Sequence, residues 1–155
     1  MSGPETNATA RVRVVASADL MVALRELVTT AHDAAAAGVD LQSWAVLGEM
    51  DRDEVADGSD SAFDLNAWVV EHDRIGRLAV RLDISRVLCV GASRAVRGLH
   101  QGAVMEGSWG DEAILVSTVD EALAILGAQR GPDDVIVISG GAELGLDQLS
   151  DRIGG

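Results

Sequence analysis

The chain has 155 residues, room for one domain with its own core and too few for two. Hydrophobic residues make up 48% and charged ones 24%, a globular balance that speaks against disorder. Its 25 acids against 12 bases leave a formal charge of −13, which repels phosphate backbones and anionic lipid and so argues against nucleic-acid and membrane-surface roles.

Residues 1–10 are polar, lack the apolar stretch of a secretion signal, and read as a disordered tail. The first predicted strand is Arg11-Val12-Arg13-Val14-Val15. A helix follows over 19–37, with Leu20, Val22, Ala23, Leu24, Leu27 and Val28 on its apolar side, and Gly38 closes it. Trp44-Ala45-Val46-Leu47 is the second strand, ending in Gly48. The stretch 51–63, with Asp64 just after it, is rich in acids; its spacing fails a calcium loop, because Val55 and Ala56 stand where a ligand and a glycine are needed. It reads as a solvated loop insertion. The longest helix spans 64–81, with Trp68, Ile75, Leu78 and Ala79 inward and Arg74, Arg77 and Arg81 outward.

Arg86-Val87-Leu88-Cys89-Val90 is the third strand, and its unbroken apolar run suits a strand covered on both faces. A short helix over 93–101 and a loop containing Trp109 lead to a fourth strand, Ala113-Ile114-Leu115-Val116. Thr118-Val119-Asp120-Glu121 is a capping box opening a helix to about residue 126. Asp134-Val135-Ile136-Val137-Ile138 is the fifth strand, and a last helix is expected over 143–153. Strand followed by helix, five times over, predicts a three-layer α/β sandwich around a mostly parallel sheet.

The zeros in the composition narrow the chemistry. All the basic residues are Arg, so no P-loop or Schiff-base lysine lies in this sequence, and Tyr is absent too. Cys89, the single cysteine, falls in an apolar strand and reads as a buried structural thiol. No stretch has the length of a membrane span, which leads us to expect a soluble, cytoplasmic protein. The three His and one Cys show no metal-ligand spacing, and no metal is expected.

Ligands of open α/β sheets bind outside the carboxyl ends of the strands. Those ends carry Gly48-Glu49-Met50, Gly91-Ala92-Ser93-Arg94, Ser117-Thr118 and Ser139-Gly140-Gly141. The Gly-Gly pair reads either as a tight turn or as a nest of backbone N–H groups for an anion. Arg94, with its planar fork, is a further anion-binding candidate. Gly91-Ala92-Ser93 lacks the third glycine of a dinucleotide fingerprint, which sets NAD aside. His72, between Glu71 and Asp73, reads as an exposed helix histidine, inert or paired with a carboxylate for acid–base work or for holding a substrate amine.

Several stretches go further when taken together. The segments Ser43-Trp44-Ala45-Val46-Leu47-Gly48-Glu49-Met50, Glu71-His72-Asp73-Arg74-Ile75-Gly76-Arg77-Leu78-Ala79 and Asp134-Val135-Ile136-Val137-Ile138 resemble the C-terminal domain of Mur ligases. Within that family the chain is similar to the members that join D-alanyl-D-alanine to a UDP-linked tripeptide. The resemblance runs through residues 11–153 and implies a Rossmann-like sheet of five or six strands. It further implies a three-domain, ATP-dependent ligase in which the central domain holds ATP and magnesium and the C-terminal domain brings in the incoming amine. Glu49, Met50, His72 and Gly76 match the family pattern. Its Asp-x-Tyr-Asn-x-Asn-Pro-x-Ser motif does not: Val12-Arg13-Val14-Val15-Ala16-Ser17-Ala18-Asp19-Leu20 stands there instead. Ser139-Gly140-Gly141 replaces a Lys-x-Ser.

The resemblance therefore points to a free-standing, degenerate domain in peptidoglycan precursor synthesis, expected to act as a non-catalytic binding or regulatory module. The alternatives are the substrate-binding part of a split ATP-dependent ligase and a sensor of small anionic ligands. No catalytic residue is assigned; the candidate binding residues are Glu49, Met50, His72, Arg94, Ser139, Gly140 and Gly141. No cofactor is expected for this chain alone, with ATP and magnesium entering only if a central ligase domain completes it. The expected partners are a Mur ligase or another cell-wall synthesis protein, and D-Ala-D-Ala or a related dipeptide.

Overall fold

The computed structural model describes residues 11–51, 64–107 and 112–154. The expectations for the tail 1–10, for the acidic stretch beyond Asp51 and for the Trp109 loop lie outside those residues. Five strands form one sheet: β1 (Val12–Val15), β2 (Ser43–Leu47), β3 (Arg86–Val90), β4 (Ala113–Val116) and β5 (Val135–Ser139). Their order is β1-β5-β2-β3-β4 and every pairing is parallel. The helices are α1 (Leu20–Ala36), α2 (Leu65–Arg81), α3 (Arg94–Met105), α4 (Val119–Gln129) and α5 (Leu149–Gly154).

The alternation of side chains along each strand feeds two cores. Ala45, Leu47, Val87, Cys89, Val135 and Val137 pack with α1, α2 and α3 on one face. Trp44, Val46, Leu88, Val90, Ile136 and Ile138 pack with α4, α5 and Leu146 on the other. The continuous apolar runs in β2, β3 and β5 are thus split between two layers, which makes the three-layer sandwich.

Local chemistry sets the helix ends. Val39 N–H donates to the Ala34 carbonyl and Gly38 N–H to that of Ala35, with Gly38 at φ +87, a Schellman stop for α1. Asp64 caps α2 by accepting from the N–H groups of Asn66 and Ala67. Thr118 and Glu121 complete the expected capping box on α4.

Two helices differ from expectation. The third runs on to Met105 instead of ending near 101. Its Gly102 is no terminator: a Cβ there would lie 2.2 Å from the Asp73 carbonyl oxygen, so glycine is what lets α3 approach α2. Gly76 plays the same part in return, where a Cβ would meet the Leu99 oxygen at 2.0 Å. The last helix, expected over 143–153, is instead two 3-10 turns, Ala142–Leu144 and Leu146–Gln148, followed by the short α5. Gly145 at φ +76 separates the turns, a left-handed residue that no α-helix accommodates.

At the amino end of the sheet a buried carboxylate ties the layers together. Asp134 accepts from Trp44 Nε1–H at 2.9 Å, from the Gln42 backbone N–H at 2.8 Å and from Gly131 N–H at 2.8 Å. Charge-assisted bonds of this kind offset the cost of burying the carboxylate.

Candidate functional site

Five parallel strands bring their carboxyl ends to one side, where diverging loops leave crevices. A cleft of about 680 Å³ opens there between the loops after β2, β3 and β5. Glu49, Met50 and Asp51 line it from the first loop, Gly91, Ala92 and Ser93 from the second, and Gly141, Ala142, Glu143 and Leu144 from the third. Val90 and Val96 add apolar lining.

Glycine builds the junction between the first and third loops. Gly48 N–H donates to the Ser139 carbonyl at 2.9 Å, and Gly141 N–H to the Glu49 carbonyl at 2.8 Å. A Cβ on Gly48 would lie 2.6 Å from Gly141 Cα, and one on Gly140 would lie 2.5 Å from the Gly48 oxygen. Gly140 and Gly141 both have positive φ, at +76 and +67. The Gly-Gly pair is therefore a crossing of two backbones, and the Gly141 N–H is already committed within the protein.

His72 is buried, with no exposed surface, and not the exposed residue its neighbours Glu71 and Asp73 suggest. Helix α2 turns it inward toward the loop after β2. Its Nε2 accepts the Met50 N–H at 3.1 Å, and Nδ1–H donates to the Trp68 carbonyl at 2.8 Å. A backbone N–H on Nε2 requires a lone pair there, which fixes the neutral tautomer with its proton on Nδ1. Burial pushes the imidazole below its ordinary value; the Trp68 carbonyl and the charges of Glu49 and Glu71 only partly offset this. A neutral, doubly bonded histidine holds a loop in place rather than shuttling protons.

Trp68 stands beside it on α2, edge-on to the imidazole with ring centroids 4.9 Å apart. Its Nε1–H donates to Glu49 Oε2 at 2.6 Å, a charge-assisted bond. Sequence periodicity places Trp68 in the core; its spacing of four from His72 puts the two on one helix face, while the bond to Glu49 depends on how that face meets the sheet.

The structure thus brings together Glu49, Met50, His72, Gly140 and Gly141. Ser139 is buried and its hydroxyl donates to the Val15 carbonyl at 2.9 Å, inside the sheet. Arg94 is exposed at the start of α3 and is not among the lining residues. Gly76 lies away from the cleft, at the α2–α3 contact.

The described lining carries three carboxylates, Glu49, Asp51 and Glu143, and no basic side chain. Such a lining favours a cation and disfavours a triphosphate, so these residues do not fit ATP on their own. Among the described residues, no group of three or more His, Cys, Asp or Glu is placed to hold a metal ion. No helix among them is long and apolar enough to cross a membrane.

The chain is similar to curated proteins named UDP-N-acetylmuramoyl-tripeptide–D-alanyl-D-alanine ligase. It is 47% identical over 114 residues to that of Mycobacterium leprae, covering 74% of this chain and 20% of the relative. It is 41% identical over 123 residues to those of Mycobacterium bovis and Mycobacterium tuberculosis (strain H37Rv), covering 72% of this chain and 22% of each relative. The chain spans about a fifth of the length of these relatives. No family model matches it. No solved structure matches either.

Proposed function

We infer a function from kinship: over 74% of its length this chain is a homologue of a segment of the Mur ligases, which act in peptidoglycan synthesis. On that premise the domain is a substrate-docking module that receives D-Ala-D-Ala, or a dipeptide like it, at the carboxyl end of its sheet. The observation that carries this reading is the cleft lined by Glu49 and Met50, on a turn that His72 of α2 holds from behind; the turn and α2 are two of the segments whose sequences resemble the ligase pattern. The domain needs no nucleotide or metal of its own for this task. ATP and magnesium belong to a central ligase domain, and phosphoryl-transfer chemistry would be carried there.

Calorimetric titration with D-Ala-D-Ala, ATP–magnesium and the UDP-linked tripeptide, one at a time, tests it. The dipeptide alone should bind. Binding of ATP–magnesium without the dipeptide would overturn the reading and favour an anion site.

A second reading fits the similarity equally well: the domain completes an ATP-dependent ligase whose P-loop lies outside this sequence. What favours it is that the similarity spans about a fifth of full-length ligases while the sequence holds no lysine. ADP release that requires both the UDP-linked tripeptide and the dipeptide should then appear only when a P-loop-bearing ligase part is added. No release from any such mixture leaves docking without chemistry as the role.

A further inference from the structure

We propose that His72 is a proton-operated latch on the cleft: while the imidazole is neutral it holds the Met50 turn in place, and when it takes a proton it lets that turn go. This goes beyond the docking reading and stands whatever ligand the cleft takes. The geometry uses both ring nitrogens. Nδ1–H is spent on the Trp68 carbonyl, and the Nε2 lone pair on the Met50 N–H. An imidazolium carries an N–H at both positions and has no lone pair left. Protonation of the latched ring therefore sets two donors, Nε2–H and the Met50 N–H, against each other across 3.1 Å. The ring is fully buried, so the new charge also lacks hydration until the turn lifts.

The charges that act on the ring come from two elements, Glu49 on the turn and Glu71 on its own helix, and both favour the protonated form. Asp51, the other acid of the turn, hangs by its backbone N–H on the Ser17 hydroxyl ahead of α1, and Asp73 is paired with Arg77. Helix α3, packed against α2, leaves Arg94 and Arg97 exposed and turns His100 to the Ala113 carbonyl. Burial outweighs the two acids and holds the latched ring below its ordinary value of 6.5. Once the turn lifts, hydration returns the ring toward that value. The released form therefore binds the proton more tightly, and acid drives release in the window between the two values. Met50 lines the cleft, so the element that lifts is part of its wall.

The test is amide exchange on the full chain, followed by NMR between roughly pH 7.5 and pH 5.5 and corrected for the intrinsic exchange rate. Protection of the Met50 N–H should fall by up to about tenfold per pH unit below the ordinary histidine value, the slope of one coupled proton. Met50 should also exchange faster than Val46 and Leu88 in the core strands, at a rate that sub-denaturing urea leaves unchanged, the mark of a local opening. The nitrogen shifts of the ring should place the proton on Nδ1 at the upper end of the range. His72→Gln offers Met50 an amide oxygen that does not titrate, and should make the protection independent of pH. Three results overturn the latch in the parent protein alone: a pH-independent Met50, a Met50 that exchanges only in step with Val46 and Leu88, or a proton on Nε2 while the turn is held. An unchanged pH slope in a folded His72→Gln overturns it as well. Ligand binding enters none of these readouts, so the docking reading stands or falls separately.

Discussion

The cleft depends on single side chains whose sequence neighbours misdescribe them. His72 sits in Glu71-His72-Asp73, a charged triplet typical of solvent, yet its ring is fully buried because helix periodicity separates it from both neighbours. Replacing it with Leu leaves the Met50 N–H without an acceptor and removes the second donor to the Trp68 carbonyl, which keeps its helical bond. The expected loss is about 2–3 kcal/mol in urea unfolding at neutral pH, from the orphaned N–H and the lost second bond. The pH dependence has a definite sign. Burial lowers the native value below 6.5, so in that window the unfolded chain takes up a proton that the native protein refuses. This contribution is therefore present above 6.5 and is lost as the pH falls through the native value. The urea midpoint should drop between roughly pH 7.5 and pH 5.5, and His72→Gln should flatten that drop. An equal drop in the variant would move the effect to other groups.

At the scale of elements, glycine governs how closely α2 and α3 pack. Gly76 and Gly102 each face the other helix's backbone, so an added methyl has a carbonyl oxygen in its path rather than a side chain that can swing aside. Gly76→Ala should cost about 3 kcal/mol or more, the upper range for overpacking where the backbone itself must shift. Gly127 supplies the control. It lies inside α4 with nothing near its missing Cβ, and Gly127→Ala should raise stability by about 0.5–1 kcal/mol through helix propensity alone. Thermal melts of both variants decide between packing and propensity. The same glycines show what was legible from sequence. Strands β3 and β4 fall on their expected residues, since short β-branched runs have few other conformations open to them. The run of α3 beyond 101 through Gly102 and the break at Gly145 are not legible in the same way, because a glycine's role is set by what lies opposite it or by its φ, and neither is a local property of the sequence.

For the molecule as a whole, the alternation of strand and helix was enough to predict the layered architecture, and the strand order was not predicted. Nor could the sequence reveal that Trp68 reaches Glu49, since the two meet only through the register of α2 on the sheet. Cys89 gives a reporter for the assembled whole. It lies in β3, buried between layers, and burial pushes its thiol up to about 12. Labelling by a thiol reagent at about pH 8 should therefore follow global opening, with a free energy equal to that from urea unfolding. Faster labelling would reveal a local opening of the β3 layer. The strand order carries a further consequence, for how the protein comes into being on the ribosome. Strand β1 precedes the other four strands of the sheet, yet among the described residues its one partner is β5, with Val12 beside Ile136. Strand β5 also separates β1 from β2, so the strand that joins β1 to the rest of the sheet is made after the other four. Without β5, β1 is a single strand with no neighbour and β2-β3-β4 is a fragment with an open β2 edge, the kind of edge that invites pairing with another chain until β5 fills it.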